Sequence, residues 1–136
     1  MNKKAVSLTG CILPAVLVCL SVFPFGCSPT LVGRNAAVYS MGRLYARVDR
    51  DMNAVYEASV KALEELEVTV TENKKDVFAA RVYGETSDDK NITIKIEPET
   101  DESTLLSIYT GVVGDEVRAR TIFSKIREIL GPAGEG

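Results

Sequence analysis

From Met41 onward the hydrophobic positions fall into blocks whose period switches between two and three-to-four. In "RLYARV", residues 43–48, Leu44, Ala46 and Val48 alternate with Arg43, Tyr45 and Arg47, the pattern of a half-buried strand. Asp49 and Asp51 then offer side chains that accept the first amide protons of a helix. Over 51–66, Met52, Val55, Tyr56, Ser59, Leu63 and Leu66 recur three and four apart, one apolar stripe with Glu57 and Lys61 on the opposite side. Strands follow in "VTVTEN" (68–73), "VFAARVYGE" (77–85, with Phe78, Ala80 and Val82 inward), "ITIKIE" (92–97) and "STLLSIYT" (103–110). "NKKD" and "TSDDKN" supply turns, and Pro98 stops a paired ladder. A second helix starts at Asp115, carries Val117, Ala119, Ile122, Ile126, Ile129 and Leu130 on one side, and ends at Gly131-Pro132.

The order strand, helix, four strands, helix predicts an α+β two-layer sandwich. Its sheet is largely antiparallel, of about five strands, because the last four are joined by short turns. Both helices cover the face that carries Ile92, Ile94 and Ile96. The neighbour of the first strand is left open by this pattern.

The first 26 residues are of another kind. A basic start, Lys3-Lys4, precedes an uncharged stretch from Ala5 to Gly26, the layout of an export signal. Pro14 and Pro24 disfavour a long straight membrane-crossing helix, so a retained anchor is the second reading. The three cysteines, Cys11, Cys19 and Cys27, all lie within or at the edge of this stretch. Cleavage before Cys27 leaves one thiol, with no disulfide partner, and the chain has no histidine to share a metal. A lone cysteine at the end of an export signal reads as a lipid attachment point. Gly26 fits a lipobox, whereas Pro24 and Phe25 depart from its usual residues. "LTGC", residues 8–11, looks better but is preceded by too short an apolar run. The organisation expected is thus a signal peptide at 1–26, a lipidated N-terminus and tether at 27–40, a domain at 41–131 and a loose tail at 132–136. The part from Cys27 onward has 14 basic against 19 acidic side chains, net −5, which argues against general nucleic-acid binding.

"VYEASVKALEELEVTVTENKKD" (55–76), "ITIKIEP" and "YTGVVGDEVRARTIFSKI" resemble a family of small bacterial lipoproteins that carries a domain of unknown function. The resemblance spans most of residues 40–130 and rests on core and turn positions, so it implies the fold and brings no catalytic residues. That family often has glycine after the first helix, where this chain has Glu67. It implies acylation at Cys27 and, because Ser28 is not aspartate, the periplasmic leaflet of the outer membrane rather than the inner membrane.

Chemistry is sparse. With no histidine the commonest general base is missing, and no nucleophile elbow, phosphate loop or dinucleotide fingerprint occurs. Gly111, Gly114 and Asp115 read as a turn and helix cap, and Asp88-Asp89 as a solvated turn. No metal, cofactor or catalytic residue is therefore expected, and the protein reads as a non-enzyme. One set remains. Arg43, Tyr45, Arg47, Arg81, Tyr83, Lys95 and Tyr109 all point outward from predicted strands. Placed side by side they make a basic, aromatic face suited to an envelope protein or a polyanionic envelope component. The competing reading is an ordinary solvated face with tyrosine present for strand propensity. Binding or scaffolding at the membrane is the function expected. A tethered periplasmic enzyme, or a soluble or singly anchored ligand-binding protein, is the alternative.

Overall fold

The computed structural model describes residues 36–132; Cys27, the signal-like segment and most of the expected tether and tail lie outside the described residues. The strands are β1 (Ala37–Ser40), β2 (Arg43–Val48), β3 (Thr69–Lys75), β4 (Ala80–Glu85), β5 (Asn91–Pro98) and β6 (Thr104–Thr110). The helices are α1 (Met52–Glu65), between β2 and β3, and α2 (Glu116–Leu130), after β6. The sheet therefore has six strands rather than about five. Ala37–Ser40, read from its composition as tether, pairs antiparallel with β2 through a two-residue turn. Met41 and Gly42 in that turn both have positive φ, 51° and 78°, as a hairpin turn matched to strand twist requires.

The strand order is β1-β2-β6-β5-β4-β3, and every neighbouring pair is antiparallel. Helix α1 carries the chain from β2 across one face to β3 at the far edge. The meander β3-β4-β5-β6 then returns, so the last strand comes to lie beside β2. This answers the question left by the hydrophobic pattern: β2 takes β6 as its neighbour because α1 spans the sheet.

Both helices lie on the inner face, where Ile92, Ile94 and Ile96 are buried together with Leu44, Val82, Leu106 and Ile108. From α1, Val55, Ala58, Ala62 and Leu63 meet them, and from α2, Ala119, Ile122, Phe123 and Ile126. Burying each such large side chain is worth about 1.5–3 kcal/mol, which is why the alternation selects one sheet face. Among the described residues these side chains form one core cluster between the sheet and the two helices.

Three local expectations shift. Val117, placed on the α2 stripe, is in the first turn and 78% exposed, while Phe123 is buried in its stead. Val77 and Phe78 do not belong to a strand; they sit exposed in the β3–β4 turn, and β4 begins at Ala80. The turn is displaced because the Asp76 side chain accepts the amide protons of Phe78 and Ala79. Strand β3 therefore runs on through Lys75, the third residue of "NKKD".

Helix ends are closed as their residues dictate. Asp51 accepts from the amides of Asn53 and Ala54, and Asp115 from that of Arg118. Glu116 lies in the positive first turn of α2. The Arg50 guanidinium donates to the last carbonyl of α2, that of Leu130, and to the Pro132 carbonyl just beyond the helix. Lys125 of α2 ties the helices together, 3.5 Å from Glu65 of α1 and 3.2 Å from Glu128. These carboxylates, Glu128 first, raise the affinity of the Lys125 amine for its proton.

Candidate binding face

The outer face of the sheet is built by cross-strand register. Arg43 of β2 lies opposite Tyr109 of β6, Tyr109 opposite Thr93 of β5, and Thr93 opposite Tyr83 of β4. One step along the strands, Tyr45 lies opposite Ser107, Ser107 opposite Lys95, and Lys95 opposite Arg81. At about 4.8 Å per strand, the row from Arg43 to Tyr83 spans about 14 Å. Directly opposed residues in antiparallel strands point the same way, so these side chains share one surface.

Five of the seven residues singled out from the sequence come together here. Arg43, Arg81, Tyr83, Lys95 and Tyr109 surround a depression of about 310 Å³, with Thr93 and Ser107 also in its lining. Thr93 and Ser107 were missed because their side chains carry no conspicuous chemistry. Their small size between long neighbours leaves the surface hollow, a signal readable only once the register is known. Tyr45 and Arg47 lie on the same face outside this lining, and Arg47 pairs with Glu99.

The electrostatics are uneven. Lys95 is 2.8 Å from Glu97, and at the β3 edge Lys74 is 2.8 Å from Glu72, whose hydrogen bond and charge raise the Lys74 proton affinity. Arg43 packs its guanidinium 5.5 Å from the Tyr109 ring centre, and the Tyr109 hydroxyl donates to the Val112 carbonyl. Among the described residues neither Arg43 nor Arg81 has a carboxylate within ion-pair distance. Two guanidiniums thus face a hollow with aromatic and hydroxyl walls. Such a set can donate to anionic oxygens and stack on flat or sugar-like surfaces. A larger depression, about 590 Å³, lies beside Arg50 and Arg127, but Arg50 there is bonded to the Asp49, Leu130 and Pro132 carbonyls. Among the described residues no three His, Cys, Asp or Glu side chains are grouped so as to hold a metal ion.

The sequence matches, over residues 5–129, the family described as a protein of unknown function, DUF3568. None of the curated proteins matches it.

Proposed function

Because the chain belongs to DUF3568, a family whose description assigns no activity, we propose its function from its own residues: a non-catalytic envelope lipoprotein that binds an anionic partner through its outer sheet face. The observation that carries this reading is the convergence of Arg43, Arg81, Tyr83, Lys95 and Tyr109 on one hollow, with neither arginine within ion-pair distance of a carboxylate among the described residues. A folded protein of net acidic charge that gathers cations and tyrosines on one face favours anion recognition there.

Attachment is through Cys27, acylated after removal of the uncharged segment that precedes it. The family match begins at residue 5 and so covers that segment and Cys27 as well as the domain. Two or more acyl chains on Cys27 hold the domain at a membrane, whereas one would not. By the sorting habit that the lipoprotein resemblance implies, Ser28 rather than aspartate favours the outer membrane over the inner one, with the domain facing the periplasm. The partner is an envelope protein or a polyanionic envelope component.

Two measurements test the proposal. Intact-mass analysis of the mature protein is expected to find a chain beginning at acylated Cys27; an intact Met1 or a free Cys27 thiol defeats the anchor. Arg81→Ser, Tyr83→Ser and Tyr109→Ser together are expected to leave the domain folded and to remove the partners recovered from membranes. An unchanged set of partners with the fold intact ends the binding-face reading.

A further inference from the structure

The basic hollow continues around the end of the sheet. Thr93 and Tyr109, which line it, also line a second depression of about 890 Å³ that runs past the β6–α2 loop to the first turn of α2. Its lining carries an apolar strip, Val112, Val113 and Val117, which are 91%, 88% and 78% exposed, beside the charged Asp89, Lys90, Asp115 and Glu116. Isolated exposed hydrophobic residues are ordinary, but three lining one groove are not.

The loop is braced in a way that holds these valines outward. The Val112 carbonyl accepts from the Tyr109 hydroxyl, and the Gly111 amide donates to the Asn91 carbonyl. The Thr110 hydroxyl donates to the Asp115 carbonyl at 2.9 Å and accepts from the Asp115 amide at 2.9 Å. Gly114, at φ +91°, lies against Gly42 so closely that a Cβ on it would stand 2.5 Å from the Gly42 Cα. The β1–β2 turn thus buttresses the loop. Of the charged residues in the groove lining, Lys90 pairs with Asp88, Asp115 with Arg118 and Glu116 with Arg120, while Asp89 is in no ion pair among the described residues; the cations available to an anion are those of the outer face.

We propose that the hollow and the groove together bind one anionic amphiphile, its charged head between Arg43 and Arg81 and its hydrocarbon chain along Val112 and Val113. This rests on the reading of the outer face as an anion site and adds the class of ligand. Continuity through Tyr109 and the division of the surface into a cationic and an apolar part select this occupant. A flat bilayer meets either the sheet face or the end of the sheet, whereas one flexible molecule turns the corner between them.

The test uses residues 27–136 with Cys27→Ser, which contain every core residue described above and whose folding is checked by a cooperative urea transition, titrated with decyl phosphate below its micelle concentration. Inorganic phosphate and uncharged decyl maltoside are titrated in parallel. Each fully buried methylene is worth a factor of about four, so three half-buried ones give about eightfold. Decyl phosphate is therefore expected to bind about eightfold more tightly than inorganic phosphate, and more tightly than decyl maltoside, which has the same chain but no charge for the arginines. Val112→Ser with Val113→Ser, both exposed positions, removes the advantage over phosphate, and Arg43→Ser with Arg81→Ser removes that over decyl maltoside. Unfolding midpoints confirm that both variants fold. If phosphate binds as tightly as decyl phosphate and needs the arginines, the amphiphile is overturned while the anion face stands. Binding of decyl phosphate that ignores the arginine changes overturns both. Capture by phosphatidylethanolamine–phosphatidylglycerol vesicles through Val112 and Val113, without binding of monomeric decyl phosphate, overturns the inference in favour of bilayer docking.

Discussion

Gly84 shows how one missing methyl group sets the fit of helix on sheet. A Cβ there would lie 2.7 Å from Val68 Cγ1 and 3.3 Å from Leu63 Cδ1, both at the closed end of α1. Gly84→Ala is expected to destabilise by about 1–3 kcal/mol through overpacking, read as a lower urea midpoint. The same helix end carries Glu67 at φ +58°. The Glu67 amide donates to the Glu64 carbonyl and the Val68 amide to Leu63, the bond pair of a left-handed C-cap. The cap thus forms without the glycine common in the resembling family. Glu67→Gly should stabilise by about 0.5–1 kcal/mol, the left-handed penalty of an L-residue less the added chain entropy of glycine. A lower midpoint for that variant contradicts the cap. Glu67 drew attention in the sequence because it follows the helix, while Gly84 did not, since its reason lies in residues about twenty positions away.

At the scale of elements, the ties between α2 and the sheet depend on charge. Arg118 of α2 reaches both carboxylate oxygens of Asp88, at 3.0 and 3.2 Å, in the β4–β5 turn. The Arg118 guanidinium, and after it the Thr86 hydroxyl, hold the Asp88 carboxyl well below the usual carboxylate range. A depressed folded-state pKa adds stability that is fully present above the unfolded value of about 3.9 and is lost as pH falls below it. The advantage of the wild-type chain over Asp88→Asn should therefore be level from pH 7 to 5 and shrink from about pH 4 downward. Urea midpoints across that range test this, and an advantage undiminished at pH 2 refutes it. Because Asp88 is half exposed, the effect is small and weakens with salt. Element type was legible where a period ran for six residues or more, as in β5 and α1. It failed at the β3–β4 turn, where the Asp76 side chain overrode the hydrophobicity of Val77 and Phe78.

For the molecule as a whole, β1 adds a strand to the sheet ahead of residue 41. Ala37 and Tyr39 of β1 pack on the core, and β1 covers the edge of β2. A chain beginning at residue 41 should be less stable than one beginning at 36 by about 2 kcal/mol, from lost apolar burial and lost pairing. Equal urea midpoints would show that β1 adds nothing. The sequence by itself determined the two helices, five of the six strands and the inner face of the sheet. Those depend on periods of two and of 3.6, which any stretch displays locally. It also displays the uncharged segment and the Cys27 at its end on which the anchoring proposal rests. Only the tertiary structure decided that β2 lies beside β6. That choice brings Arg43 next to Tyr109 and sets Arg81 two strands from Ser107, so that separate outward residues enclose one hollow. The register between strands from opposite ends of the chain is set by how α1 and α2 pack across them, a relation that no local pattern contains.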